Sequence, residues 1–201
     1  MAFVEQQILP RYNHFGKSHG ILHAQRVIKN ALELARITGA DVDMVYVIAA
    51  YHDLGMEGPR AIHHITSGKI LQADARLKKW FSPEQIRIMK EAVEDHRASS
   101  SRAPRSIYGK IIAEADRDLD PQIVFERAIL FGLEHYPHLD EEAQWQRFHK
   151  HMLEKYSRTG YLHLWIPNSP NAKGLEIIRK TIDNQTLLKS TFYTIFQKLS
   201  K

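Results

Sequence analysis

His52 and Asp53 stand side by side at the end of an apolar stretch, Val45 to Ala50, with a histidine upstream at His23 and an aspartate downstream at Asp116. Two imidazoles and two carboxylates make a mixed nitrogen and oxygen donor set for a divalent cation, and such a set leaves positions for water and a substrate oxygen. The chemistry implied is metal-assisted hydrolysis. The chain has no cysteine, which excludes thiolate ligands, disulfides and a cysteine nucleophile, so any metal must be held by histidine and carboxylate. With 12 histidines in 201 residues, one His-Asp dipeptide carries little weight alone, and the surrounding elements have to supply the rest.

The segment Ile21 to Ile37 places Leu22, Val27, Ala31, Leu34 and Ala35 on one recurring face, the pattern of an amphipathic helix bounded by Thr38-Gly39. Asp41 or Asp43 can cap the next helix, Met44 to Asp53, whose nearly unbroken apolar character predicts a buried element ending near Leu54-Gly55. His52 and Asp53 therefore close a core helix, where a rigid backbone holds neighbouring ligands better than a loop would. Ile62, Ile65, Ile70 and Leu71 indicate another helix beyond the Gly58-Pro59 connector. Ser82-Pro83-Glu84-Gln85 is a capping box with proline at the first helical position, predicting a helix to about Asp95. A loop from Arg97 to Ser106 precedes a helix from Ile107 through Asp116.

Asp120-Pro121 opens a helix toward Leu133, Pro137 ends that region, and Asp140-Glu141-Glu142 starts a longer helix reaching Tyr156. Ile166 to Pro170 reads as a break, followed by helices over Leu175 to Ile182 and Leu187 to Leu199. No hairpin signal or repeat stands out, so the expected class is all-α, a single-domain helical bundle over 1–201. The length suits one domain with a full core.

A charged fraction of 25% and an apolar fraction of 43% are those of a soluble globular protein, without the run of about 18 apolar residues that a membrane span needs. The start, Met-Ala-Phe-Val-Glu-Gln-Gln, has no basic, then apolar, signal pattern; with the absence of cysteine, this gives an expectation of cytoplasmic location. The formal charge of +5 favours anionic partners, a phosphate ester as readily as nucleic acid. Lysine and arginine are spread along the chain, so a dedicated nucleic-acid arm is not favoured.

The segments Ser18-His19-Gly20-Ile21-Leu22-His23-Ala24-Gln25-Arg26-Val27, His52-Asp53-Leu54-Gly55 and Ala113-Glu114-Ala115-Asp116-Arg117 together resemble the HD-domain family of metal-dependent phosphohydrolases. The resemblance covers about 14–135, leaving 136–201 as helices that complete or cover that core. It implies that His23, His52, Asp53 and Asp116 bind one metal, and a helical-bundle fold. His64 and His96 resemble the two further histidines of the branch that binds two metals, in which Asp53 bridges the ions, and the adjacent His63 could exchange roles with His64. In the mononuclear alternative, His64 and His96 act as phosphate donors or a proton relay. Asp53, His64 and His96 are thus the candidate catalytic residues. The cofactor implied is one or two divalent ions, of Fe, Mn, Co, Mg, Ni or Zn.

Metal-activated water attacking phosphorus in a phosphomonoester, phosphodiester or phosphoanhydride follows from that ligand set, and the expected substrate is a nucleotide or related phosphorylated small molecule. Lys69 and Arg97 lie nearest the ligands in sequence and are the favoured phosphate contacts among Arg26, Lys69, Arg97, Arg102, Arg105, Lys110 and Arg117. His19 resembles the family's preceding histidine, although Gly20 stands where many members have Asp. Glu57 is a further candidate for water activation, read more readily as solvated. The Met56-Glu57-Gly58 stretch lacks the Glu-Asp pair of the family's guanosine tetraphosphate hydrolases. His135, His138, His149, His151 and His163 read as scattered surface residues. Trp80, Trp145 and Trp165 are assigned to no base pocket. Two other classes share the ligand types: a di-iron oxygenase on the same scaffold, and a non-catalytic module that binds metal or nucleotide.

Overall fold

The computed structural model describes residues 2–16, 19–97 and 102–200. Ser18 and residues 98–101 of the expected loop lie outside them. The fold is all-α: among the described residues there are nine α-helices and no strand. No helix is long and apolar enough to cross a membrane. The chain divides into two compact units, Met1–Arg117 and Asp118–Lys201.

In the first unit, short π and 3-10 turns over Val4–Ile8 and Leu9–His14 precede α1 (Ile21–Thr38), α2 (Val42–Tyr51), α3 (His63–Ala73), α4 (Pro83–Asp95) and α5 (Ile107–Ala115). The centre is α2. From Val45 onward it is buried almost all round, because its apolar residues follow no single stripe, and α1, α3, α4 and α5 all pack against it. Asp41 accepts from the backbone N–H groups of Asp43 and Met44 and fixes where α2 begins. Gly39 closes α1 with a left-handed φ of 71°. Both hydrogen bonds of the Ser82 and Gln85 capping box are formed.

The second unit contains α6 (Pro121–His135), α7 (Glu141–Tyr156), α8 (Pro170–Asp183) and α9 (Gln185–Leu199) around Phe125, Ile129, Trp145, Phe148, Met152, Ile178, Leu188 and Phe192. Helix α8 begins five residues before the expected Leu175. Ser169 accepts from the Ala172 N–H and Pro170 occupies the first turn, so the Ser-Pro pair starts a helix rather than only breaking one. The turns over Val4–His14 were also not anticipated. Their buried residues Val4, Ile8 and Tyr12 recur at four-residue steps, a helical signal too short to register beside the longer elements.

Of the glycines in the first unit, Gly55 leaves the least room for a side chain. It lies in the 3-10 turn Leu54–Glu57, and a Cβ there would sit 2.1 Å from the His63 carbonyl oxygen and 2.7 Å from the Ser67 nitrogen. Its N–H donates to the Ser67 hydroxyl at 2.8 Å. Absence of a side chain therefore sets how closely the end of α2 approaches the start of α3. Gly55→Ala is expected to destabilise by about 1–3 kcal/mol, the scale of overpacking in a filled core, and to lower metal affinity by displacing His63 from Asp53. Urea unfolding and metal titration check this; unchanged values for both would refute the contact's role.

Candidate metal centre

Helix ends carry the site. His23 lies on the first turn of α1, His52 closes α2 with Asp53 next to it, His63 begins α3, His96 closes α4 and Asp116 closes α5. The last carbonyls of a helix have no partner within it, and this chain uses them to hold imidazoles. The His52 Nδ1–H donates to the Ala49 carbonyl at 2.8 Å and the His96 Nδ1–H to the Val93 carbonyl at 2.6 Å, each three residues back. The His63 Nδ1–H donates to the Arg60 carbonyl of the preceding 3-10 turn at 2.8 Å. These bonds fix the rings so that Nε2 presents a lone pair.

All three Nε2 atoms converge on Asp53. Its Oδ2 lies 2.8 Å from His19 Nδ1, 3.4 Å from His23 Nε2 and 3.3 Å from His52 Nε2. Its Oδ1 lies 3.4 Å from His63 Nε2 and 3.5 Å from His96 Nε2. Asp116 Oδ1 approaches His23 Nε2 at 3.2 Å and His52 Nε2 at 3.8 Å. Three groups result, His19-His23-Asp53, His23-His52-Asp116 and Asp53-His63-His96, each with ligand atoms mutually within 4.8 Å. Behind them, the buried Tyr12 hydroxyl accepts from the Asp53 N–H at 3.2 Å and donates to the Ala50 carbonyl at 3.0 Å.

The donor set fits a cation. His63 and His96 bring their Nε2 atoms to 3.0 Å, and His23 and His52 bring theirs to 3.1 Å. With Nδ1–H already committed to carbonyls in three of the four rings, facing lone pairs repel unless a proton or a metal lies between them. His52, Asp53 and His96 are buried, so water cannot fully relieve that repulsion.

Protons fill this role when no metal is bound. Burial alone would lower His23, but hydrogen bonds and charge from Asp116 and Asp53 raise it to about 9. The Arg26 guanidinium, 3.1 Å from His23 Nδ1, disfavours a second ring proton, and the two carboxylates outweigh it. Burial would raise Asp116, yet His23, His52 and His96 bring it to about 2. Asp53 falls far below the carboxylate range because His52, His19 and His23 overcome its burial. Asp53 and Asp116 also raise His96 against its burial, whereas burial lowers His63.

Of the residues expected at the metal, the structure brings together His23, His52, Asp53, His96 and Asp116. Of the adjacent pair His63 and His64, it is His63 that joins Asp53 and His96. Adjacent helical residues point about 100° apart, and the Arg60 bond selects the first. The His64 Nδ1 is buried without a hydrogen-bond partner among the described residues. Lys69, six residues past His63, is exposed and falls on a different face of α3. Arg97 donates to the Ala61 carbonyl at 2.7 Å and so braces the connector leading to His63. Glu57 forms an exposed bidentate pair with Arg11. His19 bonds directly to Asp53 despite Gly20, and its signal was its place four residues before His23.

A family model described as HD domain matches residues 20–119. The crystal structure of Bacillus subtilis YpgQ in complex with ADP is similar in fold, with a TM-score of 0.56 at 19% identity over 94% of this chain and 91% of that chain. No curated protein matches.

Metal loading of chelator-treated protein at pH 7 is expected to release protons, since His23 is then protonated, and the release should fade as pH passes about 9. The raised His23 stabilises metal-free protein fully below its ordinary value of 6.5 and loses that contribution as pH rises through about 9. The lowered Asp116 contributes above 3.8 and is lost as pH falls toward about 2. A stability plateau between those ordinary values, seen by denaturant titration across pH, checks both signs. Tyr12→Phe leaves the Asp53 N–H unpaired and should cost about 1–3 kcal/mol while weakening metal binding. Wild-type stability and affinity in that variant would remove Tyr12 from the positioning scheme.

Proposed function

Because residues 20–119 make this chain a member of the HD-domain family, we propose that it is a metal-dependent phosphohydrolase acting on a phosphorylated small molecule, a nucleotide or a close relative. The observation that carries this reading is the Asp53 carboxylate, which offers one oxygen to His23 and His52 and the other to His63 and His96. Such a bridging position suits two ions. His23, His52, Asp53 and Asp116 would hold one, and Asp53, His63 and His96 the other. Divalent ions there supply Lewis-acid stabilisation of phosphoryl oxygens and activation of water near neutral pH.

The protein's own groups perform the remaining work. The Ala49, Arg60 and Val93 carbonyls hold His52, His63 and His96 in one tautomer, so no ring has to reorganise during turnover. His19 donates from Nδ1 to the bridging carboxylate and fixes its rotamer. It is also partly exposed, which suits it to pass a proton between the site and solvent. The ADP held by the YpgQ crystal structure supports a nucleotide as the substrate class. Arg97 acts through the Ala61 connector, positioning His63 rather than gripping substrate.

Asp53→Asn keeps the volume and removes the bridging charge. It should reduce phosphate release from a nucleotide panel assayed with iron, manganese, cobalt and magnesium by at least on the order of 10²-fold. Circular dichroism should remain helical. Undiminished turnover in this variant, or dioxygen consumption without phosphate release in the wild type, would overturn the proposal.

A further inference from the structure

The unit Asp118–Lys201 contains a cavity of about 400 Å³ lined by its own residues alone. Helices α6 and α7 pack against each other and form it. Along α7 the residues facing it are Arg147, His151 and Lys155, spaced by four so that they share one face; on α6 they include Arg127 and Phe131 at the same spacing. His151, read from sequence as a scattered surface histidine, is half-buried here.

Arg147 is the informative group. Its guanidinium donates to the Ala128 carbonyl and, at 3.4 Å, to the Gln144 Oε1, and it lies over the Phe131 ring at 5.8 Å. Burial lowers it from the ordinary guanidinium value, and among the described residues no carboxylate forms an ion pair with it. The partly buried Arg11 and Arg76 and the exposed Arg87, Arg105 and Arg158 all have such partners. A half-buried cation without a counter-charge is costly, and an incoming anion removes that cost. Lys155 is held over the Tyr156 ring at 5.0 Å and Arg127 is exposed at the rim. Burial, then Lys155 and Arg147, lower His151, so it is neutral at pH 7 and serves as donor or acceptor. Counted over the lining residues alone, Arg127, Arg147 and Lys155 against Asp118 give a formal surplus of two positive charges.

That surplus matches a phosphomonoester, which carries roughly −1.5 to −2 near neutral pH, and the volume lies within the range of about 300–1,000 Å³ usual for small-ligand sites. We propose that this cavity is a second ligand site, distinct in composition from the histidine and aspartate cluster, that takes a small phosphorylated molecule. Its phosphate is held by Arg147, Arg127 and Lys155, and its organic part rests against Phe131, Val124 and Ala128. Arginine suits the role through its planar fork, while Lys155 adds a compact point charge.

The test is calorimetric titration of the full chain in excess EDTA with AMP, inorganic phosphate and adenosine as probes. AMP should bind one-to-one in wild type and equally in Asp53→Asn, which separates this site from the metal centre and leaves the outcome independent of the proposed hydrolase activity. Arg127→Gln and Lys155→Gln should each weaken AMP by about tenfold, the loss of one charge-assisted bond; both side chains lie away from the packed core, so circular dichroism should be unchanged. Phosphate should displace AMP, and adenosine should fail to bind. No AMP binding under chelation, equal affinity in both charge variants, or adenosine binding as tightly as AMP overturns the proposal. Phosphate binding as tightly as AMP overturns the assignment of Phe131, Val124 and Ala128 to an organic part.

Discussion

A single buried carboxylate governs the first unit. Asp53 is almost fully removed from water and is surrounded by nitrogens of His19, His23, His52, His63 and His96. A lone carboxylate in that position would be strongly destabilising, and the neutral rings of His52, His63 and His96, presenting their Nε2 lone pairs, would make it worse. Only positive charge reconciles the arrangement. Protons supply it at His23 and His96, whose affinities the carboxylates raise, and a divalent cation supplies it more compactly because one ion meets several lone pairs together. Metal affinity and proton affinity are therefore two expressions of one electrostatic demand.

Meeting that demand constrains the backbone. Five helices deliver ligands from their ends rather than from their middles, and at the C-terminal ends of α2 and α4 there is a physical reason: the last turn has carbonyls to spare. Ala49 and Val93 lend theirs to the rings three residues on, so the imidazole that binds also caps the helix that carries it. Helix α2 buries its apolar surface on all sides and thereby drives its polar terminus, His52 and Asp53, into the centre of the unit. Tyr12 closes the rear by bonding both the Ala50 carbonyl and the Asp53 N–H. Core packing and ligand placement are thus one event, and the contact between Gly55 and the His63 carbonyl sets its tolerance.

Much of this was legible in the sequence, and the exceptions share a cause. The all-α class, the capping box at Ser82 and the termination of α2 at His52 follow from local patterns that a few adjacent residues specify. His23, His52, Asp53, His96 and Asp116 could be picked out through ordered motifs before any distance was known. The choice between His63 and His64 could not. Neighbouring histidines at a helix start differ only in azimuth, which depends on the Arg60 carbonyl and on how closely Gly55 lets α3 approach. Lys69 and Arg97 were favoured by nearness in sequence, but a helix turns one away and the Ala61 carbonyl engages the other. Sequence separation measures neither direction nor prior engagement.

The same reasoning applies, with the sign reversed, to Arg147 in the second unit. Around Asp53 a negative group is over-supplied with nitrogen donors; around Arg147 a positive group has carbonyl and amide oxygens but no ion-paired carboxylate among the described residues. Arg147 ties α7 to the Ala128 carbonyl of α6, a bond that needs a donor but not a full charge, and its positive charge carries a desolvation cost that an uncharged donor would avoid. Arg11, Arg76, Arg87 and Arg105 show the ordinary resolution, pairing with Glu57, Asp74, Glu84 and Asp95. A half-buried charge without an ion-paired carboxylate, at the wall of a cavity and beside two further cations, is best accounted for by a partner that arrives from solution. Metal for the Asp53 cluster and an oxyanion for the Arg147 cavity are the two partners whose charge would balance what the fold leaves uncompensated.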